Sequence, residues 1–303
     1  MIYGPFPLRP LTSATGSLSE DGVDPSITAQ YDFNKDVMVY ATYAEGSKSG
    51  GFVSNTYGTI DSTFQYKPEE SQNIEAGIKS KLDDGKIILN ATIYHTKFTN
   101  LQTSVYNPNT SSYITGNAAS ASSTGIEAEF NWYPMPNLDF SASGAYQDAK
   151  YDDYPGASCL ASQPITECNP LIPASVQANN IAGHPLTYSS KFTGNFTAHY
   201  RIDFAGDYKF DTTMMVYGRS WFYNSDDQSP NYGLQNGYAK LDLRLQVAPQ
   251  SDRWHVALVG KNLTNQYTTS SAFRLPAPIT SAPRAILYLD PLRTIALEAG
   301  VRF

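Results

Sequence analysis

The sequence lacks any uninterrupted apolar run of the ~18 to 20 residues that a membrane-spanning helix requires. A helical membrane protein is therefore excluded. Charged residues are also scarce, at 16% of 303 residues, and the net charge is -7. Lysine and arginine form no cluster along the chain. Since phosphate binding needs a concentrated basic face, these properties argue against a nucleic-acid partner.

Recognisable catalytic patterns are absent as well. The sequence contains no nucleophile elbow, no Gly-rich phosphate loop that ends in Gly-Lys-Ser/Thr, and no plausible acid pair. Its four histidines lie far apart and show neither the i, i+4 spacing nor the cysteine pairing of metal ligands. We therefore expect no enzyme activity, no metal site and no cofactor.

Only two cysteines occur, Cys159 and Cys168, and both lie in one segment rich in Pro, Ser and Asn. Their short separation predicts a local disulfide in an oxidising compartment, with two unpaired thiols as the alternative. Residues 1–10 show no basic segment followed by an apolar one, so no export signal is visible. Because an exported protein should have one, we expect the chain to be incomplete at its front.

What the sequence has instead is an alternation of apolar and polar residues with a period of two. Between residues 239 and 247 every odd position is apolar and every even position is polar, a pattern that only a strand separates onto two faces. Similar segments occur near residues 25–33, 36–46, 70–82, 87–98, 122–133, 138–150, 190–202, 208–223, 237–248, 254–264 and 294–303. Many have ten or more residues, whereas soluble strands average about five or six. Membrane-spanning strands need about nine to eleven, so strand length favours a membrane protein.

The connections between these segments alternate between short and long. The short ones carry turn-forming residues, at 34–35, 83–86, 134–137, 203–206 and 249–253. The long ones, near 47–69, 99–121, 151–189, 224–236 and 265–293, are rich in Ser, Asn, Thr, Gly and Pro. An up-and-down arrangement places all short turns at one rim of a sheet and all long loops at the other. That asymmetry is typical of outer-membrane β-barrels.

Several segments resemble, in order, the C-terminal half of the barrel of TonB-dependent outer-membrane receptors. They are 39–46 (VYATYAEG), 49–52 (SGGF), 67–80 (KPEESQNIEAGIKS), 116–119 (GNAA), 125–129 (GIEAE), 260–267 (GKNLTNQY) and the closing 291–294 (PLRT) with 301–303 (VRF). The resemblance implies an all-β, transmembrane, antiparallel up-and-down barrel, present here in part, with about 11 strands of about 22. Residues 1–24 would be the remnant of a preceding external loop, and residues 25–303 the C-terminal portion of the barrel.

Two sets of residues are candidates for function. Polar residues on the alternating strands are predicted to face the barrel lumen: Glu127, Glu129, Lys191, Lys240, Asp242, Arg244, Glu298 and Arg302. Aromatic residues in the long loops suit contact with a bulky ligand: Phe52, Tyr57, Tyr66, Tyr106, Tyr113, Tyr154, Tyr188 and Tyr232. The resemblance further implies outer-membrane lipids as surroundings, and as partners an N-terminal plug with the other half of the barrel. The TonB complex would be contacted only through that plug.

These features predict a fragment of a receptor in the bacterial outer membrane that binds a bulky ligand, foremost a ferric siderophore, and takes it up with energy. Two alternatives stay open: an autonomous, smaller barrel that acts as a passive pore, and a soluble all-β binding or adhesion protein. The even strand number of single-chain bacterial barrels argues against the pore. Strand length and one-sided long loops argue against the soluble protein.

Overall fold

The structure, a computed structural model, describes residues 15–53, 64–107, 112–118, 120–169, 179–275 and 284–302. Its main element is a sheet of 11 long strands in which each strand pairs with the next long strand along the chain. These strands are β1 (Ser26–Asn34), β2 (Val37–Lys48), β5 (Glu69–Leu82), β6 (Ile87–Thr99), β9 (Ser120–Met135), β10 (Leu138–Asp153), β11 (Phe192–Phe204), β12 (Tyr208–Arg219), β15 (Tyr238–Pro249), β16 (Trp254–Lys261) and β19 (Thr294–Val301). Each overlaps one predicted segment, so the all-β architecture is confirmed.

Eight further strands form small two-stranded sheets within four of the long connections. They are β3 (Gly51–Phe52) with β4 (Gln65–Tyr66), β7 (Gln102–Asn107) with β8 (Ser112–Asn117), β13 (Phe222–Tyr223) with β14 (Leu234–Gln235), and β17 (Thr269–Leu275) with β18 (Arg284–Leu289). The alternation in the sequence did not predict these hairpins. No helix in the described part of the chain is long and apolar enough to cross a membrane.

Short turns join the long strands at one rim of the sheet, which we call the turn rim, and the long connections lie at the other, the loop rim. At the 3-10 turn Asp83–Gly85, Asp84 and Gly85 have φ angles of 51° and 88°. Glycine adopts this left-handed region without strain, which explains its place in the tight turn. The predicted alternation of short and long connections is confirmed.

Alternate residues of each long strand project from opposite faces of the sheet. We call the face with Ile126, Phe196 and Leu243 the apolar face, and the face with Glu127, His199 and Arg244 the polar face. The register keeps each kind of residue together across strands. Phe196, for example, is opposite Ala142 and Val216. In a transmembrane barrel the outward face is the apolar one and meets lipid.

Two strands end earlier than their patterns predicted. The pattern over 254–264 continues past Lys261, but Asn262 has a φ angle of 48° and donates its backbone N–H to Asp242 Oδ1 at 2.7 Å. This turn ends β16. The pattern over 208–223 likewise outlasts β12, because Phe222 and Tyr223 pair with β14 in a separate sheet.

The strands β1 and β19 form the two edges of the sheet. Every neighbouring pair is antiparallel and the number of strands is odd, so both edge strands run in the same direction, from the loop rim to the turn rim. The proposed boundary between residues 24 and 25 stays a prediction, although β1 begins close to it, at Ser26.

Among the described residues, a buried apolar cluster lies at the loop rim rather than in the middle of the sheet. Its buried members are Ala118, Ala121, Tyr151, Tyr154, Ala157, Leu160 and Ile181. They join the ends of β9 and β10 to the long connection that follows β10. This loop core holds the loop layer against the sheet.

Candidate functional site

The polar face carries a network of ionisable side chains near the turn rim. His199 on β11 lies between two carboxylates, with Nδ1 3.0 Å from Asp139 Oδ1 and Nε2 3.2 Å from Asp211 Oδ1. Arg201 Nε donates to the same Asp211 oxygen at 2.7 Å. Since these residues come from β10, β11 and β12, the network ties three adjacent strands together.

A lysine-carboxylate pair lies at the turn rim itself. Lys209 Nζ on β12 is 2.7 Å from both carboxylate oxygens of Asp252, which lies in the turn between β15 and β16. The hydrogen bond from Lys209 lowers the pKa of Asp252 below its ordinary value, and the positive charges of Lys209, Arg201 and Arg302 add to this effect. The turn is therefore attached to the neighbouring strand by a charge-assisted bond.

Farther along the sheet, one acidic side chain joins the three strands β15, β16 and β19. Glu298 on β19 accepts two hydrogen bonds from Arg244 on β15, at 2.8 and 3.1 Å. His255 Nε2 on β16 lies 3.0 Å from the same carboxylate. The two bonds of this arginine fix both the distance and the orientation of the pair.

Nearer the loop rim, Lys240 on β15 is almost fully buried. Its ammonium lies 3.4 Å from Asp290 Oδ2, and Thr268 Oγ1 donates to the same oxygen at 2.5 Å. The rings of Tyr217 and Tyr238 lie 5.9 and 5.2 Å from the lysine nitrogen. Aromatic faces attract such a cation, so the lysine, the carboxylate and the two rings form one unit.

Beside this unit the polar face has a depression of about 480 Å³. Tyr217, Arg219 and Tyr238 lie on one side of it and Glu127 and Glu129 on the other, with small residues between them. Arg219 is held in place, because it donates to Ser190 Oγ and to the Tyr188 carbonyl, both at 2.7 Å, and stacks on the ring of Phe222. The depression thus offers aromatic surface, a fixed guanidinium and two carboxylates below the loops. Such a surface suits binding of a polar, partly aromatic molecule.

The comparisons with known proteins agree with this architecture. The family model described as "TonB dependent receptor-like, beta-barrel" matches residues 5–263. The chain belongs to the TonB-dependent receptor family. Members of this family are β-barrel receptors of the bacterial outer membrane, as the sequence resemblance predicted.

Solved structures of this fold include three ferric receptors. The ferric yersiniabactin uptake receptor FyuA of Yersinia pestis has a TM-score of 0.68 at 17% identity and is matched over 92% of this chain and 37% of its own. The ferric-catecholate import receptor Fiu of E. coli has a TM-score of 0.61 at 16% identity, and the match covers 92% of this chain and 34% of the receptor. BauA, the ferric preacinetobactin receptor of Acinetobacter baumannii, has a TM-score of 0.58 at 17% identity, and the match covers 91% of this chain and 36% of the receptor. At these identities the likeness shows the fold alone, and the chain spans about a third of each receptor.

Within this receptor barrel, most residues predicted to face the lumen lie on the polar face. Glu127, Glu129, Arg244 and Glu298 alternate with apolar residues and belong to the depression or to the ion pairs above. Asp242 accepts a hydrogen bond from the backbone N–H of Asn262, at the turn that ends β16. Arg302 donates its backbone N–H to Arg253, which joins the last residues to the turn before β16. Lys240 is opposite Tyr217 on the same face. That the polar face is the lumen remains a prediction for all of these residues.

Lys191 lies elsewhere. Its Nζ is 3.5 Å from Asp148 Oδ1, and Asp148 follows Tyr146 on the apolar-face side of β10. Lys191 lies at a bend just before β11 begins at Phe192, so the alternation of the strand does not fix the direction of its side chain. Strand alternation alone could not locate a residue outside the paired segment.

The loop aromatic residues do not form one exposed set. Tyr154 is buried in the loop core, where burial raises the pKa of its hydroxyl, so it supports the loops rather than presenting a surface. Tyr188 is 45% exposed, and Tyr232 donates to Asp227 within its own loop. Phe52 packs near Phe64 with ring centroids 5.1 Å apart, and Tyr66 pairs with Gly51.

Three other predicted aromatics have undescribed side chains. Tyr57 lies outside the described residues. Tyr106 and Tyr113 are opposite each other in the β7–β8 hairpin, but only their backbone is described. Ligand contact by any of the loop aromatics stays a prediction.

Cys159 and Cys168 form a disulfide in the structure, with Cα atoms 5.4 Å apart. The closed loop rests on its neighbours, because Ala161 donates its backbone N–H to the carbonyl of Asp227 in the β13–β14 connection. The disulfide therefore belongs to the layer of packed loops.

Sequence reasoning missed Tyr217, Tyr238 and Asp290, which surround Lys240. The two tyrosines could have been found from alternation, since Tyr217 is opposite Lys240 and Tyr238 is two residues before it. Asp290 is 50 residues away along the chain and gives no comparable signal.

Proposed function

We propose that this chain is the C-terminal part of the barrel of an outer-membrane receptor that binds a ferric siderophore and takes it up in a TonB-dependent manner. The polar face would then be the lumen, and a plug with the remaining barrel strands would complete the molecule. The chain itself contributes binding and positioning rather than chemistry. The names of the three ferric receptors with this fold support the choice of ligand class.

The observation that carries the proposal is the depression beside Lys240. It lies on the polar face at the level where the long loops begin, and it combines aromatic rings with charged groups of both signs. A ferric siderophore is bulky and polar and presents unsaturated chelating groups. Stacking on Tyr217 and Tyr238, with hydrogen bonds from Arg219, would hold such a molecule as it passes from the loops into the barrel.

The test uses the complete receptor that contains this chain, expressed in a strain without other ferric receptors. Uptake of iron-55 is measured with ferric yersiniabactin, a ferric catecholate and ferric citrate as probes. We expect one of them to support uptake in an energised cell, and Tyr217→Ala or Tyr238→Ala to weaken its binding about tenfold, a stacking loss of about 1–1.5 kcal/mol.

The matched control is Tyr146→Ala, which removes a tyrosine from the apolar face. It should leave binding and uptake unchanged. Heat-modifiable migration on a gel verifies that each variant is folded. If Tyr217→Ala and Tyr238→Ala bind the transported probe as tightly as the parent, the depression is not the site. If no ferric probe is taken up, the ligand class is wrong.

A further inference from the structure

The depression on the polar face separates charges of opposite sign. One register row crosses it from Glu127 on β9, through Ala145 on β10 and Thr193 on β11, to Arg219 on β12. Neighbouring strands lie about 4.8 Å apart, so the backbones at the two ends of this row are about 14 Å from each other. Glu127 and Arg219, both within the described part of the chain, therefore line opposite sides of the depression without forming an ion pair.

The next row on the same face repeats this arrangement. It runs from Glu129 through Ser143 and Asn195 to Tyr217 and Lys240. Since residues i and i+2 of a strand share a face, Glu129 adds its carboxylate to that of Glu127. One side of the depression thus carries two carboxylates, and the other side carries a basic residue in each row.

The floor between the two sides is lined by small residues. Asn195 donates to Ser143 Oγ at 2.5 Å, and Ala145 and Thr193 lie beside them. Among the described residues that line this floor, none is charged. A ligand that spans the depression must therefore satisfy the carboxylates and the guanidinium with its own groups.

Arg219 is positioned to bind an anion. Its side chain carries five N–H groups, of which the hydrogen bonds to Ser190 and Tyr188 use two. The guanidinium carbon lies 3.7 Å from the centroid of the Phe222 ring, and this stack fixes the plane of the remaining donors. A carboxylate accepts two parallel hydrogen bonds from such a group.

The two basic residues differ in what they offer a ligand. Lys240 is paired with Asp290, so Arg219 carries the positive charge that a ligand meets. On the other side, Glu127 and Glu129 lie about 6.6 Å apart along β9. Two carboxylates at this spacing favour a cationic group between them.

From these rows we infer that the transported ligand is dipolar. It carries a carboxylate or a comparable anionic group, which Arg219 binds, and a protonated amine, which Glu127 and Glu129 bind. The inference rests on the proposed function, since it concerns the molecule that passes through the same depression. It narrows the ligand class, because the two carboxylates repel a ferric complex that has negative charges alone.

The test measures binding to the purified complete receptor by quenching of tryptophan fluorescence. The probe is the ferric complex of a linear trihydroxamate with a primary amine at one end and a carboxylate at the other. Because three hydroxamates neutralise iron(III), the two ends carry the only charges. The N-acetylated form and the methyl ester each remove one of these charges. We expect each form to bind about tenfold more weakly than the dipolar complex, which corresponds to about 1.4 kcal/mol.

Substitutions identify which side of the depression binds which end of the probe. Glu127→Gln combined with Glu129→Gln should weaken binding of the dipolar complex about tenfold and leave binding of the N-acetylated form unchanged. Arg219→Gln should make the methyl ester bind as tightly as the free carboxylate, whereas a merely structural role of Arg219 would weaken all forms alike. The matched control is Glu70→Gln, which neutralises a carboxylate on the opposite face of the sheet, in β5, and should change nothing.

Equal affinity for the dipolar complex and its N-acetylated form, or tighter binding after the paired glutamine substitution, would overturn the inference. The inference is also wrong if ferric yersiniabactin, a ferric catecholate or ferric citrate binds more tightly than the dipolar complex and the glutamine substitutions do not weaken that binding. In that case the proposed function stands. If no ferric complex binds, both fail. A loss of stability without a loss of affinity in the glutamine variant would assign the two carboxylates to the plug instead.

Discussion

Two neighbouring methionines offer a direct test of which face meets lipid. Met214 and Met215 are consecutive residues of β12 and therefore lie on opposite faces. Met214 is opposite Leu243 and Ala198 on the apolar face, and Met215 is opposite Asp242 on the polar face. Replacing each with arginine introduces the same charge at the same height.

The position of Met214 in its strand sets the size of the effect. The strand has 12 residues and Met214 is the seventh. With a rise of about 3.3 Å per residue and a tilt of about 45°, the strand spans about 28 Å of the bilayer, and Met214 lies near its middle. Arginine at the midplane of the lipid face costs about 2–4 kcal/mol. Met215→Arg faces the polar side near Asp242 and should cost less than about 1 kcal/mol.

The assay is reversible unfolding by guanidinium of the complete receptor, folded into lipid vesicles, with heat-modifiable migration as the check on folding. A cost of about 2–4 kcal/mol for Met214→Arg changes the unfolding equilibrium about 30- to 900-fold, whereas a cost below about 1 kcal/mol for Met215→Arg changes it less than about fivefold. Equal costs for the two variants, or a larger cost for Met215→Arg, would refute the assignment of the faces. The comparison requires that the free energy of unfolding falls with guanidinium concentration at the same rate in both variants.

Four further outcomes are expected. Gly77→Ala should destabilise the complete receptor in the same unfolding assay by about 1–3 kcal/mol, because a Cβ there would lie 2.6 Å from the Tyr40 ring and 2.8 Å from the Ala91 carbonyl. The control is Gly144→Ala, where the atom nearest to the new Cβ would be 3.6 Å away, and this variant should cost little stability. The pKa of Asp252 is lowered in the folded state, so the stability that this carboxylate contributes is present above its ordinary pKa and is lost as the pH falls through the folded-state value. Asp252→Asn should therefore flatten the pH dependence of the unfolding free energy between about pH 5 and pH 2. An unchanged pH dependence would exclude the pair with Lys209. Non-reduced protein recovered from the membrane should show a two-hydrogen mass loss in the peptide with Cys159 and Cys168, and reduction should cost about 3 kcal/mol, whereas two alkylatable thiols would contradict the disulfide. Residues 1–303 alone should not give a compact, protease-resistant monomer after refolding into detergent, since unpaired backbone groups at the sheet edges cost several kcal/mol each in hydrocarbon. Observation of such a monomer would support the autonomous pore instead.

Alternation predicted the sheet well because a strand has a fixed side-chain period. Once the pattern of residues 239–247 is read as a strand, the faces of Leu243 and Arg244 follow without knowledge of the rest of the molecule. The same reasoning fails where the chain leaves regular pairing. Lys191 lies just beyond the last paired residue of β11, and its contact with Asp148 depends on the local path of the backbone.

The loops were the least predictable part, because their packing depends on contacts between segments far apart in the sequence. Tyr154 resembles any other loop tyrosine in the sequence, yet it is buried against Tyr151 and Ile181. Lys240 was recognised as part of a polar row, but its partner Asp290 comes from the last long connection. Such contacts are set by the three-dimensional arrangement of loops above the sheet, and no periodic pattern reports them.

The common direction of β1 and β19 restricts how this sheet can close. If two copies met edge to edge around one axis, β19 of one copy would run parallel to β1 of the other at both seams. Every internal pair of the sheet is antiparallel, and parallel pairing is slightly weaker and follows a different hydrogen-bond pattern. A segment that completes the barrel with antiparallel seams must begin and end with strands that run from the turn rim to the loop rim, and so must contain an odd number of them. The geometry therefore favours a distinct complementary segment over self-association, and it makes the two edges selective for strand direction before any side chain is matched.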